Sequence, residues 1–159
     1  MRVVAWMTIA FGAGDRLRLI PEALLLKSEP NGTYYRLVAF DLLLGSLLFA
    51  TGSGLRRGRR WAILGSMIPW GILLVDSVSF FWAMTPEAFV DLKTGKVGLL
   101  PRVLFYGAAS LAGPYAAWIL RTRQDPDIAA PEVLTASFIA GLMLGIGATG
   151  VILYLHSMD

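Results

Sequence analysis

Apolar residues in this chain are gathered into long blocks, and most polar residues stand between the blocks. Four blocks cover residues 35–55, 61–84, 99–120 and 133–155. Each is close to the ~20 residues that an α-helix needs to cross the hydrocarbon core of a bilayer. The pattern predicts an all-α fold, in which residues 1–159 form one polytopic bundle of transmembrane helices.

A further apolar block, residues 3–20, is ambiguous. Asp15, Arg16 and Arg18 interrupt its second half, and Pro21-Glu22 then breaks the pattern. If this block spans, the bundle has five spans. If it lies along the interface, the bundle has four spans and an interfacial N-terminal helix. We favour five spans, and we disfavour cleavage as a signal peptide because it would remove a helix that the charge pattern requires.

Arginine clusters predict the orientation. The loop at 56–60 carries four arginines and the segment 121–123 carries two, and two spans separate these segments. Clustered basic residues in short loops stay on the cytoplasmic side. Both segments are therefore predicted to be cytoplasmic, in the inner (plasma) membrane. The polar connection 85–98, predicted as a loop with room for one helical turn, and the C-terminus then face the other side.

Composition narrows the chemistry. Hydrophobic residues make up 56% of the chain, above the usual share in soluble proteins. The chain has no cysteine and one histidine, His156, which excludes disulfides, thiolate catalysis and histidine-rich metal sites within one chain. We predict no cofactor and no metal. The net charge of +3 comes from arginines at predicted membrane boundaries, so we predict contacts with membrane lipids and no nucleic-acid binding.

Small residues in the last block predict close helix packing. Gly141 and Gly145 form a GxxxG pattern, which lets two helices approach closely where lipid offers no hydrophobic drive. We expect this pair to pack within the chain. The alternative is a homodimer contact through the same two glycines.

The most informative chemistry is a set of charged residues inside the apolar blocks. From the helical rise, Asp41 lies roughly 9 Å and Asp76 about 12 Å below the non-cytoplasmic ends of their helices. A charge at mid-bilayer costs about 2.5–3.5 kcal/mol even on the insertion scale, so such groups usually pair or face water. If the first block spans, its charged residues reach the same depth. The predicted layer comprises Asp15, Arg16, Arg18, Asp41, Asp76 and Arg102.

This layer has two interpretations. In the first, ionised aspartates pair with arginines and hold the helices in register. In the second, the layer lines a polar pocket in the outer half of the bundle, which binds a headgroup or anion or relays protons. The sequence identifies no catalytic residue.

A short series of motifs carries a family resemblance. A Pro-Glu step at 21–22 ends the first block, Tyr35-Arg36 opens a leucine-rich block with Asp41 and a glycine at 41–45, and Arg-Arg-Trp-Ala at 59–62 leads into the next. The order resembles the small bacterial DoxX-like membrane proteins and their uncharacterised relatives, over about half the chain. The resemblance implies a small bundle that works beside other membrane components.

Two functions remain open from the sequence. The first is a binding or assembly component, an accessory subunit of a larger membrane complex, with other subunits or a second copy as partners. The second is a small membrane enzyme or carrier for a lipid or apolar metabolite, with Asp41 and Asp76 as its key groups. Whether the chain is an enzyme is left undecided by the residues alone.

Overall fold

The structure, a computed structural model, describes residues 2–25, 32–93, 100–123 and 130–156. These residues form five α-helices and, in the described ranges, no strand. The helices are α1 (Arg2–Leu25), α2 (Gly32–Arg56), α3 (Arg60–Lys93), α4 (Leu100–Arg123) and α5 (Pro131–His156). The predicted all-α bundle is confirmed. Four of these helices contain a stretch long and apolar enough to cross a membrane, which is compatible with a membrane protein. The stretches are Val38–Arg56, Arg60–Val90, Leu100–Thr122 and Pro131–Val151.

The helices run alternately up and down, so that their starts and ends gather at two ends of the bundle. The guanidinium carbon of Arg56, at the end of α2, lies 4.8 Å from the ring centroid of Trp6, near the start of α1. The short turn 57–59 joins α2 to α3, and its Gly58 has the positive φ of 67° that glycine adopts without strain. We call the end formed by the starts of α1, α3 and α5 and the ends of α2 and α4 the basic end. It holds both predicted arginine clusters.

Helix α3 forms the middle of the bundle and packs against α2, α4 and α5, whereas α1 packs chiefly along α2. Trp70 and Leu73 of α3 are fully buried, together with Leu48 of α2, Ala109 of α4 and Val4 of α1. Burial of this apolar surface draws on all these helices. The first block is thus a packed member of the bundle.

Glycines bring the backbones of two helix pairs into contact. A Cβ atom added to Gly12 of α1 would lie 2.6 Å from the backbone nitrogen of Phe49 and 2.7 Å from the carbonyl oxygen of Gly45, both in α2. Between α3 and α5, a Cβ on Gly71 would lie 2.5 Å from the carbonyl oxygen of Phe138. Only the missing side chain permits such approach.

Two helices continue where the sequence predicts an interruption. Helix α3 runs through Pro86 to Lys93, so the predicted loop at 85–98 is wrong for its first nine residues. A proline removes one backbone hydrogen bond from a helix but does not by itself end it when neighbours hold the turn. Ala88, beyond Pro86, is 5% exposed, and that packing favours the helical form. The predicted break at Pro21-Glu22 is also wrong, since α1 continues to Leu25.

Candidate functional site

Asp41 lies on the buried face of α2. Its side chain is 8% exposed, and it is followed on the same face by Leu44 and Leu48, which are 1% and 0% exposed. Spacings of three and four residues place side chains on one side of a helix. Asp41 therefore points into the bundle with these leucines and does not face the surroundings.

Asp76 is buried in the same way in α3, at 6% exposure. Phe80 follows it by four residues, and the Phe80 ring stacks on Tyr106 of α4 with centroids 5.1 Å apart and planes at 9°. Tyr106 is itself 1% exposed. Asp76 thus lies one turn from an aromatic contact between α3 and α4.

The two aspartates lie at one level of the bundle. Near the basic end, a Cβ on Gly54 of α2 would lie 2.6 Å from the Cβ of Ala62 in α3, so these residues are level. Asp41 is 54 − 41 = 13 residues from Gly54, and Asp76 is 76 − 62 = 14 residues from Ala62. At 1.5 Å per residue these steps are roughly 20 Å and 21 Å. The sequence predicts this pairing of levels, and the helix register agrees with it.

Of the other four residues in the predicted layer, the structure describes the side chain of one, Arg102. Arg102 is half-buried in the first turn of α4, four residues before Tyr106. Because Asp76 lies four residues on the other side of the Phe80–Tyr106 contact, Arg102 is about 12 Å further from the basic end than Asp76. The side chains of Asp15, Arg16 and Arg18 lie outside the described residues, although their backbone belongs to α1.

Buried hydroxyls add to the polar groups inside the bundle. Ser77, beside Asp76, is fully buried, and its hydroxyl makes no hydrogen bond within the part of the chain that the structure describes. Thr51 and Ser66 are also buried, but their hydroxyls donate to carbonyl oxygens of their own helices at 2.7 Å and 3.0 Å. Satisfied hydroxyls of this kind are structural, whereas the Ser77 hydroxyl has no such bond among the described residues.

A contact between α1 and α3 lies between this level and the basic end. The indole nitrogen of Trp70 donates to the hydroxyl oxygen of Thr8 at 3.1 Å, and that hydroxyl donates to the carbonyl oxygen of Val4 at 2.7 Å. Phe11 packs edge-on against Trp70 at 5.5 Å. This contact is not evident from the sequence pattern. Its signal is a tryptophan in the middle of an apolar block, since a buried indole N–H usually finds an acceptor.

Gly141 and Gly145, the predicted packing pair, face α3 of the same chain. A Cβ on Gly141 would clash with the carbonyl oxygen of Ile68, and one on Gly145 would lie 3.0 Å from the Cβ of Val75. The pair therefore occupies the α3–α5 contact. Two further glycines of α5, Gly147 and Gly150, have nothing within 4 Å of such a Cβ.

The arrangement has limited chemistry. Among the described residues, no group of three or more His, Cys, Asp or Glu side chains could hold a metal ion. Two buried carboxylates at one level can tie helices together through hydrogen bonds and ion pairs, or exchange protons with a bound group.

Comparisons with protein-family models, with curated proteins and with solved structures give no match. The DoxX-like resemblance therefore stays a prediction from the sequence motifs.

Proposed function

We propose that this chain is an integral membrane protein that acts as a binding or assembly component, an accessory subunit of a larger membrane complex. Near-complete burial of Asp41 and Asp76 at one level of the bundle is the observation that carries this proposal. Carboxylates packed among leucines and aromatic rings are suited to fixing the relation between α2, α3 and α4. Such fixed helices can present a constant outer surface to a partner.

The distribution of side chains supports the membrane part of the proposal. Polar groups such as Asp41, Thr51 and Ser66 are inside, whereas large apolar side chains point outwards along the spans. In water, this much exposed apolar surface would drive aggregation. In a bilayer the same surface meets acyl chains or partner helices. The outward apolar residues include Leu43, Phe49, Leu104, Leu111, Ile139, Met143, Leu144 and Ile146.

The proposed orientation places the basic end in the cytoplasm, at the inner (plasma) membrane. Arginines of both clusters are exposed there, including Arg56, Arg60 and Arg121. Short basic segments remain on the cytoplasmic side during insertion. The level of the two aspartates then lies in the outer half of the bundle.

The second candidate function is a small membrane enzyme or carrier for a lipid or apolar metabolite. It is favoured by one observation, the buried Ser77 hydroxyl, which follows Asp76 in α3 and makes no hydrogen bond among the described residues. A substrate oxygen could accept a hydrogen bond from this hydroxyl while a carboxylate takes up or donates a proton. The DoxX-like resemblance agrees better with the accessory role, because it implies work beside other membrane components.

Exchange of each aspartate for its amide separates the two functions. Asp41→Asn and Asp76→Asn keep the shape of the side chain and remove its charge. For an accessory subunit, we expect both variants to lose stability or assembly. For an enzyme or carrier, both should fold normally and lose turnover or flux. Ser79→Ala is the control, because Ser79 is exposed on α3 and its hydroxyl only donates to the Val75 carbonyl oxygen at 2.9 Å.

Native mass spectrometry of the gently solubilised protein gives the measurement for each variant. Co-purifying subunits that are lost from the Asn variants would support the accessory role. A monomer with no partner, whose Asn variants are as stable as the Ser79→Ala control, would contradict it.

A further inference from the structure

A groove opens between α4 and α5 close to the basic end. It has a volume of about 190 Å³, several times the ~30 Å³ that one water molecule occupies in the liquid. The groove forms because α4 and α5 each pack against α3 but touch one another only slightly. It is lined by Met67 of α3, Ala117, Trp118 and Arg121 of α4, and Thr135 and Phe138 of α5.

The floor of the groove is apolar. Met67 is 2% exposed, and Ala117 and Phe138 are half-buried beside it. The Thr135 hydroxyl donates to the Pro131 carbonyl oxygen of its own helix at 2.8 Å, so its hydrogen is already used. A hydrocarbon chain is the kind of ligand that such a floor accepts.

The charged side chains that the structure describes around the groove lie at its mouth. Arg121 is exposed, three residues after Trp118 on the same side of α4. On α3, Arg60 precedes Met67 by seven residues, so it lies on the same side about 10 Å nearer the basic end. Glu132, in the first turn of α5, is exposed at this level. Among the described residues, these two cations and one carboxylate give this end of the groove a net positive charge.

We infer that this groove binds an anionic phospholipid, with the phosphate on Arg121 and part of an acyl chain over Met67 and Phe138. A guanidinium presents paired donors that match phosphate oxygens. An exposed tryptophan beside it suits the boundary between headgroups and acyl chains. Basic pockets between helices on the cytoplasmic side suit anionic headgroups. The inference shares the membrane location and the orientation with the proposed function, but not the accessory role.

The test measures lipid retention by the purified full chain. Protein stripped of lipid in neutral detergent is titrated with phosphatidylglycerol or phosphatidylcholine of identical acyl chains, and bound lipids are counted by native mass spectrometry. Arg121→Gln should weaken phosphatidylglycerol binding about tenfold, as expected for loss of a charge-assisted contact. Arg57→Gln is the matched control, an exposed arginine in the turn at the same end that does not line the groove. It should leave binding within about twofold.

Two further arms decide the nature of the ligand. Ala117→Phe fills the groove with a ring and should abolish selective retention of phosphatidylglycerol. Glycerol phosphate, which carries the phosphate without acyl chains, should fail to displace the lipid. If Arg121→Gln does not fold, Arg121→Lys replaces it and should keep the preference for the anionic lipid.

Several results would overturn the inference. One is equal retention of the two lipids by the unmodified protein. Another is an equal loss of phosphatidylglycerol binding in Arg121→Gln and Arg57→Gln. The third is displacement of the bound lipid by glycerol phosphate at the same concentration as the lipid. None of these results would contradict the proposed accessory role, which is tested by whether other subunits co-purify.

Discussion

The first and last helices, α1 and α5, are each held by glycine contacts to one neighbour, yet they are embedded differently. In α1, Val4, Ala5 and Thr8 are fully buried, and Thr8 accepts a hydrogen bond from α3. In α5, the buried residues among those described are Leu134 and the two glycines that touch α3. Beyond Glu132, the large exposed side chains of α5 among the described residues are hydrophobic.

The difference follows from what each helix can leave outside the protein. Beyond Glu132 in its first turn, helix α5 has no charged residue before His156, so a bilayer can cover the sides that α3 does not. The apolar part of α1 ends at Gly14, after which Asp15, Arg16 and Arg18 follow. A helix with such residues gains more from protein neighbours than from lipid. In the proposed accessory role, α1 therefore builds the interior and α5 offers a surface for partner helices.

The largest expected effects come from the glycine contacts, where α1 and α5 should behave alike. Gly12→Ala and Gly141→Ala each place a Cβ against the backbone of a neighbour, and we expect each to lower the free energy of unfolding by about 1–3 kcal/mol. Unfolding in a detergent titration, followed by circular dichroism, measures the loss.

Gly147→Ala is the matched control on α5, since its added methyl group would have nothing within 4 Å. Alanine also favours a helix over glycine by up to about 1 kcal/mol, so this variant should be as stable as the parent or more so. Equal destabilisation of Gly141→Ala and Gly147→Ala would show that the α3–α5 contact is not as described.

A medium effect should separate the two helices. Thr8→Val on α1 removes the acceptor of the Trp70 N–H and should cost about 1 kcal/mol, whereas Thr8→Ser should restore most of it. The same exchange on α5, Thr135→Val, removes a hydroxyl that donates only to its own helix at 2.8 Å and should change little. The same detergent titration compares them. A Thr8→Val variant as stable as Thr135→Val would contradict the interhelical hydrogen bond.

The smallest expected effect concerns the start of α1. Arg56→Gln removes the guanidinium above the Trp6 ring and should lower stability by about 0.5 kcal/mol, the value for an exposed cation–π contact. Arg57→Gln, one residue further, serves as the control. The loss of stability should appear in the unfolding curves of Arg56→Gln and not in those of Arg57→Gln. Equal curves for the two variants would show that the contact does not stabilise α1.

The interior of the bundle contains some features that the sequence predicts and others that it does not. The level shared by Asp41 and Asp76 follows from antiparallel neighbours and a fixed rise per residue, so it can be predicted. Arg102 can be assigned to an end of the bundle but not to a level, because a few residues of uncertainty at a helix start displace it by several ångströms. Trp70 is recognisable as a tryptophan that needs an acceptor, but nothing in the pattern identifies Thr8.

The sequence by itself determined the four long apolar helices and the end of the bundle at which the arginines gather, but not how far α1 and α3 continue. Hydropathy is a local property, and a bilayer requires long apolar helices with satisfied backbones, so the blocks can be read directly.

Only the tertiary structure decided which sides of the helices meet. It selected α2 as the neighbour of α1, carried α3 through Pro86, placed Gly141 against Ile68 and left a groove between α4 and α5. Such choices depend on whether distant surfaces fit each other at van der Waals distance. The hydropathy of residues that are adjacent in the sequence contains no information on that fit.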